Sequence, residues 1–466
     1  MKQFFNKITP KPIIPLVRYC YSFVPPNIRA GKTFRDTLKF ILSREYLTEK
    51  EHQEYQIRKL EELLKYAYNY VPYYRRIFNQ RNLKPNDIQN LYDLKQLPFL
   101  TKFDIQNNLN DLLSRRYPKK YLKYTTTGGS TGIPLGLYHE KYISDEIEWA
   151  FIVSQWMRVG FKLNDRRVIL RGNIIKNSEK GKFYEYNPVH NILVISSYHL
   201  IDSIIPRLID KIRKFEPKFL HVYPSTLTIL ANYFKENDIQ PINSLKAVLC
   251  GSENLYDWQR SLFEQIFKCR VFSWYGHEER AILASECEQS NRYHIVPEYG
   301  IAEFVSKEGN TNPTRNELVE IIGTSLTNFA CPLIRYKTMD LALYSDQKCE
   351  CGRNYKMING VEGRLQEILV SNDNRMITMT AINMHSDVFD NVKQFQFYQE
   401  NRGEVILYIV KKSTYNDLDH KKILNELHQK LGNNFKVEIK FKKKIDRTHS
   451  GKYRFLIQKL KLNFGD

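Results

Sequence analysis

Two periodicities divide the chain. Between residues 30 and 120, Leu60, Leu63, Leu64, Tyr66 and Ala67 recur at helical spacing, with Lys and Glu between them. That spacing predicts amphipathic helix, interrupted at Val71-Pro72-Tyr73-Tyr74. From residue 165 onward, short apolar runs alternate with helical stretches. Arg167–Leu170 reads as a buried strand before a Gly172 turn, Phe219–Tyr223 as a second ending at Pro224-Ser225, and Leu245–Cys250 as a third ending at Gly251-Ser252. Helical patterns at Ile201–Phe215 and Leu227–Glu236 lie between them. Alternating strand and helix argues for an α/β sheet, whose ligands gather at the carboxyl ends of the strands.

The texture changes after Gly363. Strands at Glu404–Val410 and Val437–Phe441 and a helix at Asn416–Leu431 make residues 364–466 a small α+β unit, ending in the basic run Phe441–Arg447. The expected organisation is a large multi-layer α/β domain over residues 1–363, with a helical N-terminal region, and a small mobile domain over 364–466.

At 466 residues the chain has room for two or three domains of roughly 100–200 residues each. Hydrophobic residues at 42%, with aromatics at 13%, suit a globular core and argue against disorder. The net charge of +20 is compatible with nucleic acid, anionic lipid or an anionic substrate as partner, or with a Lys-rich solvated surface. No nucleic-acid motif accompanies it, so the surface reading is preferred and no nucleic-acid partner is expected. Seven cysteines, an odd and sparse set, suit a reducing compartment. Cys20, Cys250, Cys269 and Cys331 read as core residues. No apolar stretch of about 18 residues exists, and Pro10, Pro12 and Pro15 break up the N-terminus. A cytoplasmic protein is expected, monomeric or homodimeric, with the basic, aromatic segment Pro12–Pro26 either packed on the body or in peripheral contact with a membrane.

Five stretches carry candidate chemistry. Thr125-Thr126-Thr127-Gly128-Gly129-Ser130-Thr131-Gly132-Ile133-Pro134 alternates hydroxyls with glycines. Such backbone can form an anion-binding nest, and no Gly-Lys-Ser/Thr makes it a P-loop. Trp274-Tyr275-Gly276-His277-Glu278-Glu279-Arg280 follows an apolar run and offers a carboxylate for Mg²⁺ and a ring for stacking, or merely a solvated helix start. Pro332–Asp340 ends in a carboxylate suited to ribose hydroxyls, or is a strand and a turn. Gly363-Arg364-Leu365-Gln366 marks the domain boundary, and Arg447–Arg454 places Lys452 beside Ser450-Gly451, where an ammonium could offset charge on a phosphate.

In this order and spacing the five resemble the core motifs of adenylate-forming enzymes, in the branch of the phenylacetate–CoA ligases and their CapK-type capsular-polysaccharide relatives. The resemblance covers residues of about 60 to 460. It implies that Thr127, Gly128, Gly129, Ser130, Thr131 and Gly132 bind the β- and γ-phosphates of ATP. It places Gly251, Ser252 and Glu253 at the adenine, with Tyr275 and Gly276 nearby, and Tyr223, Pro224 and Ser225 at the substrate pocket. Glu279 would hold Mg²⁺, Asp340 the ribose, and Arg364 would sit near ribose and phosphate; Lys452 would promote adenylation. The chain departs from the pattern at Glu278, where Thr or Ser is usual, at Met339, where Gly is usual, and at Gln366 in the hinge. At Glu278 a hydroxyl that should contact the α-phosphate becomes a carboxylate, and the two negative groups are expected to repel unless a metal or proton intervenes.

Cys287 and His294 lie seven residues apart, and Cys349 and Cys351 follow much later. Three thiols and an imidazole form a common tetrahedral zinc set with no open position; the alternative is two unrelated pairs of buried small side chains. The CapK-like resemblance favours structural Zn²⁺.

The resulting expectation is an AMP-forming acyl ligase that uses ATP and Mg²⁺ to activate a carboxylic acid. The acyl group then passes to coenzyme A or to an amine or hydroxyl acceptor, in contact with polysaccharide machinery. A catalytically degenerate nucleotide-binding scaffold, suggested by Glu278, and a basic polymer-binding protein are the alternatives.

Overall fold

The computed structural model describes residues 14–126, 135–173, 175, 181–364, 367–382, 387–389, 391–432, 434–446 and 454–460. The chain is mixed α/β and forms two compact units. One comprises residues 1–43, 145–253 and 261–272; the other comprises 44–144, 254–260 and 273–466.

In the first unit, parallel strands Ala247–Cys250, Phe219–Val222, Arg167–Leu170 and Ile192–Ile195 lie side by side in that order, and Tyr184–Asn187 adds an antiparallel edge. Strands Phe219–Val222 and Ala247–Cys250 are buried at every position, as parallel strands covered on both faces must be. Helices Ile205–Phe215 and Pro224–Glu236 connect them. The first helix starts at Ile205 rather than Ile201, because Pro206 occupies its first turn. Pro224 and Ser225 do not lie in a loop beyond the strand; they open the second helix.

The second unit begins with the predicted helices. Thr48 and Glu51 form a capping box at the start of helix Glu49–Tyr70, Val71 ends it, and Pro72 opens helix Pro72–Gln80. Leu60, Leu63, Leu64 and Phe78 are fully buried and pack with Ile105, Ile301 and Leu333. An antiparallel sheet follows in the order Gly300–Ser306, Leu318–Ser325, Tyr336–Ser345, Met357–Arg364, Tyr293–Ile295, Leu283–Ser285 and the end of Arg270–Gly276. Strands Leu122–Thr126 and Gly136–Glu140 pair antiparallel.

Residues 392–458 carry a four-stranded sheet in which Val392–Gln399 and Glu404–Lys411 are antiparallel and the outer strands, Lys436–Phe441 and Leu456–Gln458, are parallel to their neighbours. Helix Asp417–Leu431 buries Ile423, Leu427 and Leu431 against Phe397, Leu407 and Ile409. Gly363, near the end of strand Met357–Arg364, has φ +103°, and a side chain there would meet Glu367 and Asn254.

Of the cysteines expected in the core, Cys250 and Cys331 are buried, but Cys20 is exposed and Cys269 only half-buried. Cys20 lies on the short helix Ile14–Ser22, which leaves it facing water.

Candidate active site and metal centre

In the first unit the carboxyl ends of three neighbouring strands hold Arg171, Tyr223 and Gly251. Ser225 donates from its backbone N (2.9 Å) and its hydroxyl (3.0 Å) to the Glu253 carboxylate, which thereby satisfies the open first turn of helix Pro224–Glu236. Arg171 donates to His221 Nε2 at 2.7 Å and to the Ser252 hydroxyl, and its guanidinium lies 5.2 Å from the Tyr223 ring centre. Burial holds the His221 imidazole well below its usual range, so it stays neutral and accepts through Nε2. The structure thus brings Ser225 together with Glu253, and adds Arg171 and His221, which the sequence reading missed. The signal for His221 was a histidine inside the otherwise apolar strand Phe219–Val222; Arg171 had no comparable local signal.

In the second unit, strand Arg270–Gly276 delivers Tyr275 and Gly276 to a turn at residues 277–280, so Glu278 and Glu279 do not begin a helix. Arg280 has φ +56°, which reverses the chain. Glu279 accepts from the Tyr336 hydroxyl at 3.0 Å, and its other oxygen lies 3.1 Å from His277 Nδ1. Glu278 is exposed. One neighbour therefore faces water while the other is anchored. A single anchored carboxylate is the protein donor Mg²⁺ commonly takes alongside substrate phosphates, so Glu279 fits that ion.

Asp340 lies within strand Tyr336–Ser345, not in a turn beyond it. Its carboxylate accepts from the Tyr275 hydroxyl at 2.8 Å. Its backbone pairs with that of Arg364, so the third and fourth motifs are cross-strand neighbours. Met339, standing where glycine is usual, adopts φ +63°, the left-handed conformation glycine would favour. The buried Glu320 supports it, accepting from Met339 N at 3.1 Å with Lys337 Nζ at 3.5 Å. Burial raises the Glu320 carboxyl to about 7. Thr127, Gly128, Gly129, Ser130, Thr131, Gly132 and Lys452 lie outside the described residues.

Cys287, His294, Cys349 and Cys351 come together, with one ligand atom of each within 4.8 Å of every other. Cys287 Sγ is 3.6 Å from Cys349 Sγ, and Cys351 Sγ is 3.3 Å from His294 Nε2. Zn–S bonds of about 2.3 Å at a tetrahedral angle require sulfurs about 3.8 Å apart, so the set fits zinc. His294 Nδ1 faces the Arg292 carbonyl at 3.1 Å, which assigns the proton there and turns the Nε2 lone pair to the thiols. Burial pushes the Cys287 thiol up to about 12, and a cation is what would bring its thiolate form into the neutral range. Arg353 ties this centre down with bonds to Glu288 at 2.7 and 2.9 Å and to Glu45 at 2.7 Å.

Residues 369–459 match the family described as the CapK C-terminal domain. Protein CapK of Staphylococcus aureus is 29% identical over 420 residues, covering 88% of this chain and 89% of that one. Phenylacetate-coenzyme A ligases of Thermus thermophilus and Pseudomonas putida are 23% and 25% identical, each over 68% of this chain and 71% and 72% of their own. In fold, the chain resembles a 2-hydroxyisobutyryl-CoA ligase in its postadenylation state, with a TM-score of 0.71, 16% identity, and 89% of this chain and 91% of that one covered. The likeness to CapK over most of the chain, to the phenylacetate-coenzyme A ligases over two thirds of it, and to the CapK C-terminal domain over residues 369–459 together support an adenylate-forming family of the CapK and phenylacetate–CoA ligase kind.

Proposed function

We propose that the protein activates a carboxylic acid with ATP. A carboxylate oxygen attacks the α-phosphorus, pyrophosphate leaves, and the acyl-adenylate passes its acyl group to a thiol, with release of AMP. The observation that carries this reading is the Tyr275–Asp340 hydrogen bond of 2.8 Å, with Glu279 anchored three residues beyond the end of the same strand. It supports Asp340 as ribose acceptor and Glu279 as the residue that would hold Mg²⁺, which supplies charge neutralisation at the phosphates. Gly251, Ser252 and Glu253 are assigned to the adenine, Tyr223, Pro224 and Ser225 to the acid, Thr127–Gly132 to the β- and γ-phosphates, and Arg364 to the ribose and phosphate. Lys452 offsets the charge that develops at the α-phosphate. Residues 364–466 act as a small domain that rotates between the two half-reactions, and Cys287, His294, Cys349 and Cys351 hold a structural zinc.

Coenzyme A is the preferred acceptor, because the ligases similar to this chain carry that substrate in their names. A role in capsule or envelope polysaccharide synthesis is supported by the CapK likeness over 88% of the chain. The exposed position of Glu278 supports turnover over a catalytically silent scaffold, since that carboxylate does not compete with Glu279. No described helix is long and apolar enough to cross a membrane.

The test is ATP–pyrophosphate exchange with purified protein, Mg²⁺ and a carboxylic-acid panel, with Lys452→Ala as control. Exchange with one acid class, lost in the control, is the expected result. Tight ATP binding with no exchange for any acid would return the scaffold reading.

A further inference from the structure

The turn Gly251–Glu253 is held at two points by residues that follow the two neighbouring strands, Ser225 in the first turn of helix Pro224–Glu236 and Arg171 just past strand Arg167–Leu170. On one side Ser225 donates twice to Glu253. On the other, Arg171 reaches from the end of strand Arg167–Leu170 to the Ser252 hydroxyl. Ser252 has φ +67°, a left-handed conformation that a residue with a β-carbon keeps only when its surroundings hold it there. Arg171 is itself aimed. His221, buried and in edge contact with the Trp156 ring at 4.9 Å, accepts from one guanidinium nitrogen at 2.7 Å, which leaves the other directed at Ser252. A planar fork satisfies both acceptors at once, whereas a lysine ammonium on a flexible stem does not.

We propose that Arg171 is a positioning residue for the nucleotide: gripped by His221, it pins Ser252 in its left-handed conformation and so fixes the Gly251–Glu253 backbone against which the adenine lies. The proposal rests on the adenylate-forming reading of that turn. Arg171 touches no reacting atom in this scheme; it acts through Ser252. Its loss therefore weakens ATP binding more than it raises the KM for the acid, which Arg171 reaches only through the Tyr223 ring.

The experiment is a double-mutant cycle on the full chain, with Arg171→Lys, Ser252→Ala and the double variant, read by ATP binding in calorimetry, by the KM for the acid and by melting temperature. Each single change is expected to weaken ATP about tenfold, with the double variant no worse than Arg171→Lys alone, because both remove one shared interaction. Additive losses of about a hundredfold in folded variants, or unchanged ATP affinity, would overturn the proposal. Equal losses in ATP affinity and acid KM would also overturn it. Should Arg171→Lys not fold, Ser252→Ala decides alone: a tenfold loss for ATP supports the pin, and wild-type affinity sinks it. A wild-type protein that binds no ATP would instead remove the adenylate-forming reading beneath it, an outcome distinct from additivity in an ATP-binding protein.

Discussion

Replacing Tyr275 with Phe deletes one hydroxyl and leaves the ring in place. That hydroxyl donates to Asp340 at 2.8 Å, and the two residues are 8% and 6% exposed. Burial, and then the Asp340 charge, keep the phenol well above its usual range, so it remains a donor at any working pH. A hydrogen bond to a charged acceptor contributes about 1.5–3 kcal/mol. Part of that loss falls on the free protein, and ribose hydroxyls take over part of the freed acceptor capacity, so the lower figure applies to binding. At about 1.4 kcal/mol per decade, ATP should bind about tenfold more weakly. Titration calorimetry with ATP and with its 2′,3′-dideoxy analogue separates the terms. The analogue lacks the hydroxyls that Asp340 would accept, so its affinity should be the same in both proteins. If Tyr275→Phe binds ATP as tightly as the wild type, or loses both ligands equally, the assignment of Asp340 to the ribose under Tyr275 control is refuted.

Three further outcomes are expected. Cys351→Ala should lower bound zinc, measured by atomic emission, from about one per chain to almost none, since a four-coordinate structural site has no spare ligand; retention of a full equivalent would exclude this set. Glu320 has a folded pKa of about 7 against an ordinary 4.5, so its protonated form favours the folded state below pH 4.5 and that contribution is lost as pH rises through 7. The gap amounts to about 3 kcal/mol, and Glu320→Gln should flatten the pH dependence of urea stability between those limits; an unchanged slope would place the titrating group elsewhere. Lys452→Ala should slow pyrophosphate exchange by about 10²–10³-fold, with ATP affinity in equilibrium dialysis changed only a few-fold; equal loss of both would make Lys452 a binding residue instead.

What the sequence determined by itself was the set of elements and the motif order. Helical periodicity at Leu60, Leu63 and Leu64, the Pro72 break and the apolar runs at 167–170, 219–222 and 247–250 all translate directly into local structure, because each depends on neighbours within a few residues. The chemistry-bearing stretches were visible for the same reason: they are contiguous. Pairing was not visible. Tyr275 meets Asp340 across 65 residues of chain, and Cys287 meets Cys349 across 62. Arg171 meets Ser252 across 81, and nothing in local composition distinguishes Arg171 from the many other basic residues of this chain. Only tertiary structure decided that Glu278 faces water while Glu279 is anchored, because two adjacent carboxylates read alike until Tyr336, 57 residues away, donates to one of them. The same holds for Met339: as a sequence it is a departure from glycine, whereas in the sheet it holds glycine's backbone conformation, supported by a buried carboxylate from the neighbouring strand.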